Sequence, residues 1–185
     1  MPIPTPPEIV LSRLSRVNAQ ILQSIDALTE EEASNWPNDK APSCKWHLWH
    51  MARWADYVQS LLSPFVDEKT QEIWDVSELA EKWRFKGIDL GMWGAGSGLG
   101  NEVGRTLPLP KLSEVRLYAV ESFDLIEKRI SNLKTDTFNA PFTDWHDNET
   151  NIGDAVIGYI AHANRHLGML EAISGMLGKD GSVTV

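Results

Sequence analysis

The chain has 185 residues, a net charge of −9 and no Lys/Arg-rich run. It is long enough for one domain with a substantial core, and its acidity argues against a nucleic-acid partner, whose phosphates are held mainly by basic side chains. A single cysteine, Cys44, excludes an intrachain disulfide and fits a reducing, cytoplasmic setting. The opening MPIPTPPEIV lacks the basic start and apolar core of a signal peptide, and no apolar run approaches the roughly 20 residues needed to span a bilayer.

After a Pro-rich lead, Val10, Leu14, Val17, Ile21, Ile25 and Leu28 recur at three- and four-residue steps and predict a helix over 7–28. The connection TEEEASNWPNDKAPS ends at Pro42, with Ser43 as candidate N-cap of a second helix over 44–62. Its apolar face carries Trp46, His50, Trp54, Tyr57 and Leu61, with His50 near the middle, and Pro64 stops it. A shorter helix is expected within 67–84. Residues 87–104 then hold seven glycines and read as irregular. They spell neither GxGxxG, since Leu99 stands in the last glycine position counted from Gly94, nor a P-loop.

Leu112, Val115, Ala119, Phe123, Ile126 and Ile130 predict a third long helix over 111–133. A polar loop with Asp144, Trp145 and His146 leads to a last helix over 151–177, capped by Thr150 or Asn151 and closed by Gly178. Four long helices, each with one apolar face, predict an all-α four-helix bundle, with residues 1–185 as a single domain. The 63–110 link is long enough to cross the bundle, so the second and third helices are expected to run parallel. Eight tryptophans suggest a core or cavity walled by large rings.

Three histidines stand where apolar stripes call for Leu or Ile: His50 in the second helix, His162 and His166 in the last. Neutral imidazole is a poor core group and a good ligand for divalent metals. His162 and His166 are one turn apart on one face, so one cation can take both, and His50 would complete a three-nitrogen cap with open positions. Ala163 follows His162, which rules out the HExxH protease motif, and the paired Glu-x-x-His motifs of di-iron bundles are missing; a single ion is expected. His47 is read as a support for His50, its substitute, or a surface residue, and His146 as an exposed loop residue or an acid overhanging the site.

HLWHMARWADY, PLPKLSEVRLYAVESFDLIEKRISNL and HANRHLGMLEAISGMLG resemble, in order and spacing, the second, third and last helices of the DinB-like superfamily. The resemblance covers nearly the whole chain and implies an up-down-down-up bundle with a long crossover between helices 2 and 3. It also implies a metal, zinc or nickel, held by His50, His162 and His166. Relatives include mycothiol-dependent maleylpyruvate isomerases and bacillithiol S-transferases, which implies a low-molecular-weight thiol as co-substrate. Relatives are often dimers, so a homodimer is an expectation that no sequence feature marks. Met169 departs from the family, where Gln often follows the motif glycine.

Three functional readings are open on these residues. A metal-dependent transferase would activate a thiol against a small electrophile held by the tryptophans. A metal-dependent hydrolase would use water instead, and a non-catalytic protein of the stress-response type would bind metal or a small ligand. Tyr57 and Tyr159 are read as core residues that could donate a hydrogen bond to a bound group. Asn164 and Arg165 are expected to face away from the site. Cys44 is read as a plain helix-entry residue rather than a nucleophile, and 87–104 as a passive loop rather than a lid.

Overall fold

Four long helices dominate the computed structural model, which describes residues 6–66 and 71–182: α1 (Pro7–Asp26), α3 (Cys44–Leu62), α7 (Leu112–Ser131) and α9 (Ile152–Met176). Among the described residues no helix is long and apolar enough to cross a membrane. The long helices fall where the three- and four-residue periodicity puts them, because that stripe must be buried on a neighbour. α3 packs along α7 and α1 along α9; further contacts join α1 to α7 and α3 to α9. Leu14, Ile21, Trp49, Phe123, Ile126 and Leu170 are almost completely removed from water in the shared core.

Pairings along the helices fix their relative directions. Arg116 donates to Asp26 at 2.8 Å while Asn18 donates to Glu127 at 2.8 Å, so α1 and α7 run oppositely. His47 meets His166 and His50 meets His162, so α3 and α9 also run oppositely.

The helix ends follow local chemistry. The Ser43 hydroxyl accepts the Trp46 N–H at 3.2 Å, and the Asn151 side chain accepts the Asp154 N–H at 2.9 Å. Pro64 lies in a single 3₁₀ turn, Ser63–Phe65, that terminates α3.

The connections hold short elements that the sequence pattern does not reveal. α2 (Glu30–Ser34) lies inside the first link, closed by a reciprocal cap in which Thr29 accepts from Glu32 N–H and Glu32 accepts from Thr29 N–H. Instead of one helix within 67–84, two turns form, α4 (Ile73–Val76) and α5 (Leu79–Lys82), broken where Glu78 takes a left-handed φ of 51°. The start of that expected helix, 67–70, lies outside the described residues. The glycine-rich segment is not wholly irregular, since its end forms α6 (Asn101–Thr106). After α7 come α8 (Thr135–Phe138) and an antiparallel hairpin, β1 (Pro141–Thr143) with β2 (Glu149–Asn151), pairing Phe142 with Thr150. The protein is thus mostly helical, with one small two-stranded sheet that the sequence pattern does not show. A three-residue strand is too short to carry a readable alternation.

Beneath the helix contacts, α3 carries a buried ionic network. Arg53 donates to Asp56 (3.3 Å), the Tyr118 hydroxyl (3.0 Å), Glu72 (2.8 Å) and the Gly94 carbonyl (3.0 Å), and lies over the Trp74 ring. Asp56 is wholly buried and also accepts from Tyr118, Gln59 and the backbone N–H groups of Ile73 and Trp74. Each buried charge is therefore matched and hydrogen-bonded, as burial requires. The network ties both the 73–76 turn and the glycine-rich segment to α3.

Candidate metal centre and its pocket

His50 projects from the middle of α3, and His162 and His166 from successive turns of α9. One ring nitrogen from each lies within 4.8 Å of the others. His50 Nε2 is 3.1 Å from His162 Nε2. His50 Nδ1 donates to the Ala95 carbonyl at 2.5 Å, which places its proton on that nitrogen and leaves Nε2 as a lone pair facing the cluster.

His47 joins the same group. Its Nδ1 is 2.8 Å from His166 Nδ1, and its ring is only 2% exposed. With His166 Nδ1 engaged there, His166 keeps Nε2 for the cluster, provided its proton sits on Nδ1 and is donated to His47. Of the readings open for His47, the geometry selects support rather than surface exposure, and the residue supported is His166.

Burial holds all four rings neutral. The loss of water pushes His47 and His162 down to about 4 and His50 to about 3, and shifts His166 down as well. Positive charge from Arg165 adds to the effect on His162 and His166. Neutral imidazole is the form that offers a lone pair to a metal.

The glycine-rich segment builds one wall. It supplies the Ala95 carbonyl to His50, and Gly94 bonds Arg53 through its carbonyl. Gly96 has φ +86°, and a Cβ there would stand 2.8 Å from the Trp49 ring, so only glycine lets this segment lie so close to α3. It is packed against α3 and holds the His50 ring in place.

A cavity of about 400 Å³ opens beside His162. Trp54, Trp93 and Trp145 wall it, with Trp54 centred 4.9 Å from Trp93 and 5.5 Å from Trp145. Trp93 has a φ of 57°, a left-handed backbone that costs a non-glycine residue about 1–3 kcal/mol. Its ring stands edge-on to His146 at 5.2 Å; His146 is exposed and also lines the cavity. Tyr159 is fully buried on the cavity wall, and among the described residues its hydroxyl has no hydrogen-bond partner. Tyr57 is half-buried against Trp54 instead.

Arg165 also lines the cavity, against the expectation that it faces away. Residues three apart on a helix are only about 60° apart around the axis, so Arg165 shares a face with His162. Asn164 does face elsewhere, into a groove between α1 and α9. Cys44 is completely buried, and burial pushes its thiol up to about 12, so it is no nucleophile. Met169 is exposed rather than lining the cavity.

The family model of the DinB superfamily matches residues 6–170. The chain belongs to the DinB superfamily. Its match takes in the histidine cluster and every wall of the cavity. A crystal structure of a conserved protein from Enterococcus faecalis is similar to this DinB protein, with a TM-score of 0.76 and 17% identity over 93% of this chain and 97% of that one. Similarity at that identity speaks for the fold alone. Nothing among the curated proteins matches the chain.

Proposed function

We propose that this DinB protein binds one divalent metal ion, zinc or nickel, through His50, His162 and His166, and transfers a low-molecular-weight thiol to a small electrophile. The observation that carries the reading is the convergence of three neutral imidazoles, with nitrogens within 4.8 Å, beside a cavity large enough for a small molecule. The donor set fits such an ion: His50 is already locked in the tautomer that presents Nε2, and His166 has a partner for Nδ1. Three protein nitrogens would leave coordination positions open, as in catalytic rather than structural zinc sites. The opposite directions of α1 and α7 and of α3 and α9, with Lys45 at the start of α3 and the Leu112 N–H at the start of α7 both on Glu30 just past α1, support an up-down-down-up bundle, in which 63–111 is the long crossover and also delivers the Ala95 carbonyl.

When bound, the ion supplies Lewis acidity that lowers the pKa of a thiol. The chain's own residues do the rest. His47 holds the proton of His166 on Nδ1, and Ala95 holds that of His50. Trp54, Trp93 and Trp145 exclude water and hold the flat face of the electrophile. The thiolate sulfur attacks the electrophilic carbon, an S–C bond forms, and the leaving group departs with the electron pair of its own bond. Tyr159 contributes its buried ring to the cavity wall.

The test uses zinc-loaded protein, 1-chloro-2,4-dinitrobenzene and a panel of thiols including glutathione, cysteine, mycothiol and bacillithiol. Chloride release that needs both metal and one of the thiols is the expected result. Turnover without thiol would assign hydrolysis instead. Thermal stabilisation by substrates without any turnover would assign a binding protein, and either outcome overturns the transfer reading.

A further inference from the structure

We infer that Arg165 makes the cavity selective for small molecules that carry a carboxylate on a flat, apolar body. The inference deepens the reading of the same site and rests on it for the cation at the inner wall. Charge decides the sign of the ligand. Two carboxylates line the cavity, but both are engaged in local structure. Asp144 accepts the backbone N–H groups of His146 and Asn148 at 2.8 and 2.9 Å. Asp154 accepts from the Asn151 side chain at 2.9 Å and caps α9 with it.

Arg165 has no such engagement: among the described residues, no carboxylate forms an ion pair with it. Its guanidinium is a planar fork with two parallel donors, the shape that grips a carboxylate. The metal ligands add to the bias. Three neutral imidazoles bring no negative charge, so a divalent ion would turn its full charge toward the cavity. An incoming anion would meet positive charge at the inner wall and at Arg165 one turn further along α9. The indoles of Trp54, Trp93 and Trp145 set the shape of the rest, favouring a flat apolar body. Those rings could also cage a cation, as aromatic faces do, and Asp144 and Asp154 keep their charge. Their oxygens are spent on N–H donors, however, whereas the Arg165 guanidinium has no ion pair among the described residues, and this argues for the anion.

The test is a titration of wild type and Arg165→Gln, each with and without zinc, with benzoate, benzamide and benzylamine. Tryptophan quenching and calorimetry read binding, and elemental analysis reads zinc. Arg165 is exposed, so the variant keeps its core. Benzoate is expected to bind the wild type about 10- to 100-fold tighter than benzamide, the range for a hydrogen bond to a charged group. Arg165→Gln is expected to lose that preference while its zinc content stays at the wild-type level. Benzamide or benzylamine binding as tightly as benzoate, no benzoate binding, or a preference that survives in Arg165→Gln would overturn the inference. Failure of the metal reading is seen separately, as a wild type that takes up no zinc. The Arg165-dependent preference is then scored in the metal-free protein.

Discussion

α3 carries two buried polar clusters one turn apart, and they are built in opposite ways. Around Arg53 and Asp56, positive and negative groups meet, and guanidinium, carboxylate, phenol hydroxyl and backbone N–H groups find partners in one another. Around His50, like meets like: imidazole nitrogens face one another at 3.1 and 2.8 Å with no carboxylate among them. A network of paired opposite charges finds its partners within the fold. A cluster of buried, neutral imidazoles with converging nitrogens has the donors that a divalent cation takes. The difference is what supports the proposed metal site at the second cluster and not the first, although both look like polar intrusions on one helix.

The largest expected effect comes from breaking the matched side. Asp56→Ala removes the fully buried carboxylate beside Arg53 and leaves the Tyr118 hydroxyl and two backbone N–H groups without their acceptor, at a cost of about 3–5 kcal/mol. Urea unfolding of the metal-free protein measures it; a loss below about 1 kcal/mol would erase the contrast.

Acid should next strike the histidine side. His47 and His50 have values depressed by burial, from an ordinary 6.5 to about 4 and about 3. The unfolded chain therefore takes up protons below pH 6.5 that the folded one refuses. Stability is full above that pH and falls as pH drops toward 4, on the order of 1 kcal/mol per pH unit for each ring. Denaturation of metal-free protein at several pH values between 7.5 and 5 checks this; stability that rises or stays flat would contradict it.

A finer cut separates support from ligation. His47→Leu removes the acceptor that holds the His166 proton but no proposed ligand, and zinc affinity should fall about 10- to 100-fold. Competition with a chelating dye measures it, and unchanged affinity would make His47 a packing residue. The smallest effect is expected at Gly96→Ala, where the new methyl meets Trp49 at a left-handed φ. That strain should cost about 1 kcal/mol or more, and weaken zinc binding by displacing the Ala95 carbonyl. A stability cost with zinc binding intact would sever the segment from the site.

The long helices and the three histidines were legible because both rest on helical period: a stripe at three- and four-residue steps, and His162 and His166 one turn apart. Arg165 was legible in principle, since it stands three residues after His162, but adjacency in sequence hid the shared face. α2 stayed hidden because its five residues are too few to show a helical period, although its Thr29–Glu32 cap closes reciprocally. The pairing of His47 with His166 was not legible, because it depends on how two helices are rotated against each other. Nor was the Ala95 carbonyl, a backbone group whose place follows from the path of a glycine-rich segment. The hairpin is too short to show a period.

The central claim is that His50, His162 and His166 hold one divalent ion. X-ray absorption at the zinc edge of zinc-loaded protein, with metal counts on wild type, His50→Ala and His166→Ala, tests it most directly. One zinc per chain with three imidazole nitrogens at about 2.0–2.1 Å is expected, with loss of stoichiometric zinc in both variants. A full complement of zinc in both variants, or a first shell without imidazole, would contradict it.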